Sequence, residues 1–108
     1  MATDEVKTGA GTKEIRLFEE RGPTSRFIYA KIEDNGDIVV SGQDVGEAPR
    51  KFFSDGDYEF WVTVREEHKD RLVLALIEKL WGGKFKAVDE FREFLNEKGI
   101  PLEWMTWY

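Results

Sequence analysis

Phe27-Ile-Tyr-Ala-Lys-Ile-Glu-Asp-Asn-Gly-Asp-Ile-Val-Val40 is the stretch on which the fold turns. Two runs that alternate apolar and polar residues flank an Asp-Asn-Gly step, the signature of a β-hairpin. A two-residue Asn-Gly loop would pair Asp34 with Asp37 and set Ile32 opposite Val39. Ile38 and Val40 would then lie on the face opposite Ile28, Ala30 and Ile32, splitting the apolar set. A three-residue loop, Asp34-Asn35-Gly36 with Gly36 in the left-handed position of a bulge, pairs Ile32 with Ile38 and Ala30 with Val40 instead. The side-chain pattern selects the second register.

Outward from the hairpin the same reasoning gives the remaining elements. Lys13 to Glu20 alternates with Ile15 and Leu17 on one face, and Arg21-Gly22-Pro23-Thr24-Ser25 makes the turn into a strand from Arg26 to Glu33. After the Gly- and Asp-rich stretch Gly42 to Gly46, Glu47 to Phe53 reads as a short helix around Pro49, broken by Ser54-Asp55-Gly56. Asp57 to Val64 is the clearest strand, with Tyr58, Phe60, Val62 and Val64 on one side. Glu66 to Trp81 is an amphipathic helix carrying Leu72, Leu76 and Leu80 in one row and ending at Gly82-Gly83. A second helix spans about Lys86 to Lys98 and closes through Gly99-Ile100-Pro101 in a Schellman pattern, Ile100 touching Leu95. Leu102 to Tyr108 reads as a last strand. Residues 1–12 read as a flexible tail and residues 13–108 as one domain. The expected class is α+β: a single, mainly antiparallel sheet of about five strands, in the order β-β-β-short helix-β-α-α-β, with the two helices packed on one face.

The totals restrict function by exclusion. Ile, Leu, Val and Phe make up 29 of the 108 residues, enough for one core. With no cysteine there is no disulfide framework, catalytic thiol or thiolate metal site, and a reducing cytoplasm is the expected setting. The longest apolar run is Leu72 to Ile77, so neither a membrane span nor a signal peptide is expected. A net charge of −6 argues against nucleic acid as a partner, because phosphate neutralisation needs a basic patch.

Two stretches carry a resemblance: Asp55-Gly-Asp-Tyr-Glu-Phe-Trp-Val-Thr-Val64, running on through Glu67-His-Lys-Asp-Arg-Leu-Val-Leu-Ala-Leu76, and Phe94-Leu-Asn-Glu-Lys-Gly-Ile-Pro101. Over roughly residues 36–108 the chain resembles small uncharacterised bacterial proteins whose C-terminal halves read strand, Leu-rich helix, second helix, Gly-Ile-Pro, aromatic strand. The resemblance implies a bacterial cytoplasmic origin and brings no activity or catalytic residues with it.

Chemistry-bearing residues are sparse. His68 is the only histidine and reads as a partly exposed first-turn residue. Ser25, Ser41 and Ser54 lack the strand–elbow–helix context of a nucleophile. No glycine-rich phosphate loop occurs, Gly82-Gly83-Lys84 being a helix terminus, and no cofactor is implied. Acidic residues beside glycines match no Ca²⁺ loop and are explained as turn formers.

The aromatic residues are more informative. If Ile28, Ala30, Ile32, Ile38, Val40, Phe60, Val62 and Val64 face the helices, the other sheet face carries Phe27, Tyr29 and Trp61. It also carries either Met105 and Trp107 or Trp104 and Thr106. Such an open aromatic surface suits a partner. The acidic excess is local as well: Glu33 to Glu59 holds eight acidic and two basic residues and accounts for the whole net charge. The expected function is a non-enzymatic interaction module that binds a basic protein, or a second copy of itself, through Phe27, Tyr29, Trp61 and Trp107 with Asp34, Asp37, Asp44, Asp55 and Asp57. An immunity- or antitoxin-like inhibitor is one concrete form. The alternative is a small enzyme or a ligand- or metal-binding domain using Asp55 and Asp57 with His68.

Overall fold

Alternating side chains and a correctly placed glycine are enough to build the hairpin expected from Phe27 to Val40. The computed structural model describes residues 13–46 and 57–107. β1 (Glu14–Glu20), β2 (Thr24–Ile32), β3 (Ile38–Gly46) and β4 (Asp57–Val64) form one antiparallel sheet in the order β1-β2-β3-β4. Ile32 pairs with Ile38 and Ala30 with Val40, the register selected by the apolar pattern. Gly36 sits at φ 94°, and the loop is closed by Glu33 N–H donating to the Asp37 carbonyl at 2.8 Å and Gly36 N–H donating to the Glu33 carbonyl at 2.8 Å. Asp37 also reaches beyond the loop. Its Oδ1 accepts the Glu66 backbone N–H at 2.8 Å, tying the hairpin turn to the start of the helical region.

The helical region begins with a 3-10 turn, Glu66–His68, and continues as α1 (Lys69–Trp81) and α2 (Ala87–Glu97). α2 ends as expected. Gly99 is left-handed at φ 68°, Ile100 N–H donates to the Leu95 carbonyl at 2.9 Å, and Gly99 N–H donates to the Asn96 carbonyl at 3.2 Å, the two bonds of a Schellman turn. Trp81 packs edge-on against Phe91 and Phe94, with ring centroids 5.1 and 5.4 Å away, and joins α1 to α2.

Four expectations need correction. The Gly- and Asp-rich stretch Gly42 to Gly46, set outside the strands by its composition, is the second half of β3, paired with β2 throughout and with β4 as far as Val45. Its Ser-Gly-Gln-Asp composition has weak strand preference, which pairing on both sides overrides. In β1 a register shift between Arg16 and Phe18 makes Leu17 a bulge residue, so Phe18, opposite Ile28, joins Ile15 on the apolar face. No fifth strand forms among the described residues. The segment after α2 runs beside the helices instead, where the Arg92 guanidinium lies 3.8 Å from the centre of the Trp104 ring and Leu102 lines the groove with Trp81 and Phe91. The helices also do not cover the sheet. Among the described residues the substantial contacts are between neighbouring strands, between α1 and the 3-10 turn, and between α1 and α2. The expected short helix around Pro49 and the tail of residues 1–12 lie outside the described residues.

The result is elongated, 66 × 29 × 27 Å, with a radius of gyration of 18.2 Å, where a compact chain of this length would have about 13 Å. Val39, 7% exposed, is the one buried apolar side chain among the described residues.

Candidate functional site

Strand alternation and the observed register place the aromatic candidates in two rungs on one sheet face. One rung reads Arg16, Tyr29, Ser41, Trp61 across β1 to β4, and the next reads Glu19, Phe27, Gln43, Glu59. Neighbouring strands lie about 4.8 Å apart and successive same-face residues about 6.6 Å apart. Small Ser41 therefore sits low between two large rings, and the side chains around it enclose a hollow of about 180 Å³. Trp61 is 65% exposed, whereas Tyr29 and Phe27 are half-buried. β4 is an edge strand of the sheet, so Trp61 stands at its open margin.

Charges frame the aromatic floor on its β1 side. Arg21 stacks 5.2 Å over the Phe27 ring and donates through Nε to Glu19 at 2.5 Å, while Arg16 donates to the other Glu19 oxygen at 2.7 Å. One carboxylate is thus shared by two guanidinium groups on that margin. Glu59, at the opposite end of the Phe27 rung, is exposed on the hollow's rim.

The acidic candidates do not gather into one site. Asp34 is exposed at the hairpin tip, and Asp37 is committed to the Glu66 N–H and to Asn35, whose Oδ1 accepts the Asp37 N–H at 2.9 Å. Asp44 faces the other side of the sheet, where Arg26 holds it bidentately through Nε at 2.6 Å and Nη2 at 2.7 Å. The hydrogen bond from Arg26 holds the Asp44 carboxyl below its ordinary range. Asp57 opens β4 opposite Val45, and Asp55 lies outside the described residues. Trp107 belongs to the segment after α2, is 91% exposed, and is not brought to the sheet with the other aromatics. The Arg92–Trp104 stack and the Schellman turn keep that segment beside the helices.

Comparison with family models, with curated proteins and with solved structures finds no match for this chain. The site therefore rests on its geometry alone.

His68 ends the 3-10 turn with its Nε2 3.6 Å from Glu67, both side chains largely in solvent. Among the described residues no group of three or more His, Asp or Glu converges on a point that could hold a metal ion, and no helix is long and apolar enough to cross a membrane. Sequence reasoning missed two contributors. Ser41 sits at the floor of the hollow because β3 continues past Val40, and Gln43 joins Phe27 to Glu59 for the same reason. A Gly-rich continuation of a strand leaves little periodic signal, so neither was legible.

Proposed function

We propose that the chain is a protein-interaction module whose aromatic sheet face takes an extended, basic segment of a partner protein. The observation that carries the reading is the Tyr29–Ser41–Trp61 rung, with a large ring on either side of a small residue at an open sheet margin. A Lys or Arg side chain entering that hollow lies beside the Trp61 and Tyr29 rings, where its stem buries apolar surface and its charge meets the ring faces. Glu59 on the rim and a net charge of −6, accounted for by residues 33–59, favour approach of a positive segment and make its capture salt-sensitive. An inhibitor of a basic enzyme, of the immunity or antitoxin kind, is the concrete biological form of this reading. The rival reading, Asp55 and Asp57 acting with His68 on a ligand or metal, has no observation behind it among the described residues: His68 stands in solvent, no group of His, Asp or Glu converges on a metal position, and Asp55 lies outside the described residues.

The test is a fluorescence titration of the protein with a lysine-rich peptide, an acidic peptide of equal length and a single-stranded oligonucleotide, at low and high salt. The reading expects the basic peptide alone to bind, the affinity to fall with salt, and Trp61→Ala to weaken binding at least tenfold with an unchanged melting temperature. Binding of the oligonucleotide, or equal binding by Trp61→Ala, would overturn it.

A further inference from the structure

The helical region carries a second concave site, built without any residue of the sheet. α1, α2 and the segment after Pro101 flank a groove of about 300 Å³ whose lining includes Ile77, Trp81, Phe91, Leu95, Leu102 and Trp104. That volume lies at the lower end of small-molecule sites, about 300–1,000 Å³. Apart from Arg92 and Glu103, the lining is apolar.

Arg92 is the residue out of place. Its Nε is buried without a hydrogen-bond partner, and among the described residues no carboxylate forms an ion pair with its guanidinium. The Trp104 ring lies 3.8 Å from that guanidinium. A ring face attracts the positive charge but supplies no oxygen acceptor. Leaving a charged donor buried and unanswered costs more than leaving a neutral one. Glu103 lines the same groove, yet it is exposed and makes no ion pair with Arg92.

We propose that this groove takes a small aromatic monocarboxylate, its ring among Trp81, Phe91 and Trp104 and its carboxylate on the Arg92 guanidinium. Trp81 and Phe91 already meet edge to face at 5.1 Å, and a further ring extends such a cluster favourably. The two oxygens of a carboxylate match two parallel N–H donors of a guanidinium, Nε among them. A phosphate dianion suits the groove less, because Glu103 adds a like charge and the apolar walls offer its remaining oxygens nothing. Since Nε is buried, the carboxylate reaches it as Trp104, carried on a segment outside helix and strand, gives way. The groove shares no residue with the Tyr29–Trp61 hollow, so this proposal stands or falls independently of the proposed function.

Isotope-edited NMR of the side-chain N–H groups tests it, with phenylacetate, its neutral amide phenylacetamide and the cationic phenethylamine as probes. Phenylacetate is expected to bind and to shift the Arg92 Nε–H resonance together with the indole N–H resonances of Trp81 and Trp104. Phenylacetamide should bind at least about tenfold more weakly, for want of the charge-assisted pair, and phenethylamine more weakly still. Arg92→Gln, with helical circular dichroism unchanged, should lower the affinity for the acid to that for the amide. The probe series on the wild-type chain decides the matter even where Arg92→Gln does not fold. Equal affinity for acid and amide shows an apolar groove without recognition of charge, and preference for the amine shows that Glu103 governs the site; either refutes the proposal. Millimolar phenylacetate that leaves the Arg92 Nε–H resonance unmoved refutes it as well.

Discussion

Gly42→Ala sets two effects of opposite sign against each other, and the structure decides between them. Gly42 lies in the middle of β3 between Ile28 of β2 and Phe60 of β4, with ordinary extended backbone. On backbone grounds alone, alanine should stabilise by about 0.5–1 kcal/mol, because glycine loses more freedom on folding. A Cβ there, however, would overlap the Phe60 ring. That ring is held from two sides, by Tyr58 with centroids 5.3 Å apart and by the Arg26 guanidinium 5.4 Å above it. Arg26 is itself fixed by Asp44. Displacing the ring therefore disturbs a connected group rather than one free side chain, and overpacking of this kind costs about 1–3 kcal/mol. The expected net is a loss of about 1–2 kcal/mol, a fall of roughly 4–16 °C in melting temperature for a domain of this size, measured at one fixed protomer concentration. Repeating the substitution in a Phe60→Ala background isolates the cause: without the ring, Gly42→Ala should be neutral or stabilising. A neutral Gly42→Ala in the wild-type chain, or an equal loss in both backgrounds, would refute this account of the Phe60 contact.

Gly99→Ala should cost about 1 kcal/mol through left-handed strain alone, since nothing lies near the added methyl; urea unfolding reads it, and Gly99→Asn should recover part of the loss. Asp37→Ala removes the acceptor for the Glu66 N–H and should cost about 1 kcal/mol, with the loss appearing first as faster amide exchange at Glu66 to His68. The Asp44 carboxyl, held below its ordinary value chiefly by the Arg26 hydrogen bond, contributes stability that is present above about pH 4. That contribution is lost as pH falls through the depressed folded-state value. Asp44→Asn should therefore lower stability at neutral pH and flatten the acid limb of a melting-temperature profile; an unchanged limb would show that the pair contributes nothing.

The parts of this fold legible in the sequence are those specified by neighbours in the chain. The Asp34-Asn35-Gly36 loop fixed its own register through the apolar set on either side, and Gly99-Ile100 marked the end of α2. The Tyr29 and Trp61 sides of the sheet followed from alternation. What escaped depends on partners distant in sequence. β3 continues through Gly42 because β2 and β4 both pair with it, and Leu17 is displaced by a bulge that no alternation reveals. The aromatic strand expected at the C-terminus failed for a related reason. Its Trp104 is captured by Arg92 on the adjacent helix, a competitor that an alternating pattern cannot disclose.

The hydrogen bond from Glu66 to Asp37 also has a kinetic side. Its acceptor belongs to a hairpin that closes locally, on a timescale of about 1–10 μs, and its donor to the 3-10 turn that leads into α1. A hairpin that closes early therefore holds the point from which α1 departs, much as a hinge pin set in the frame decides which way a door can swing.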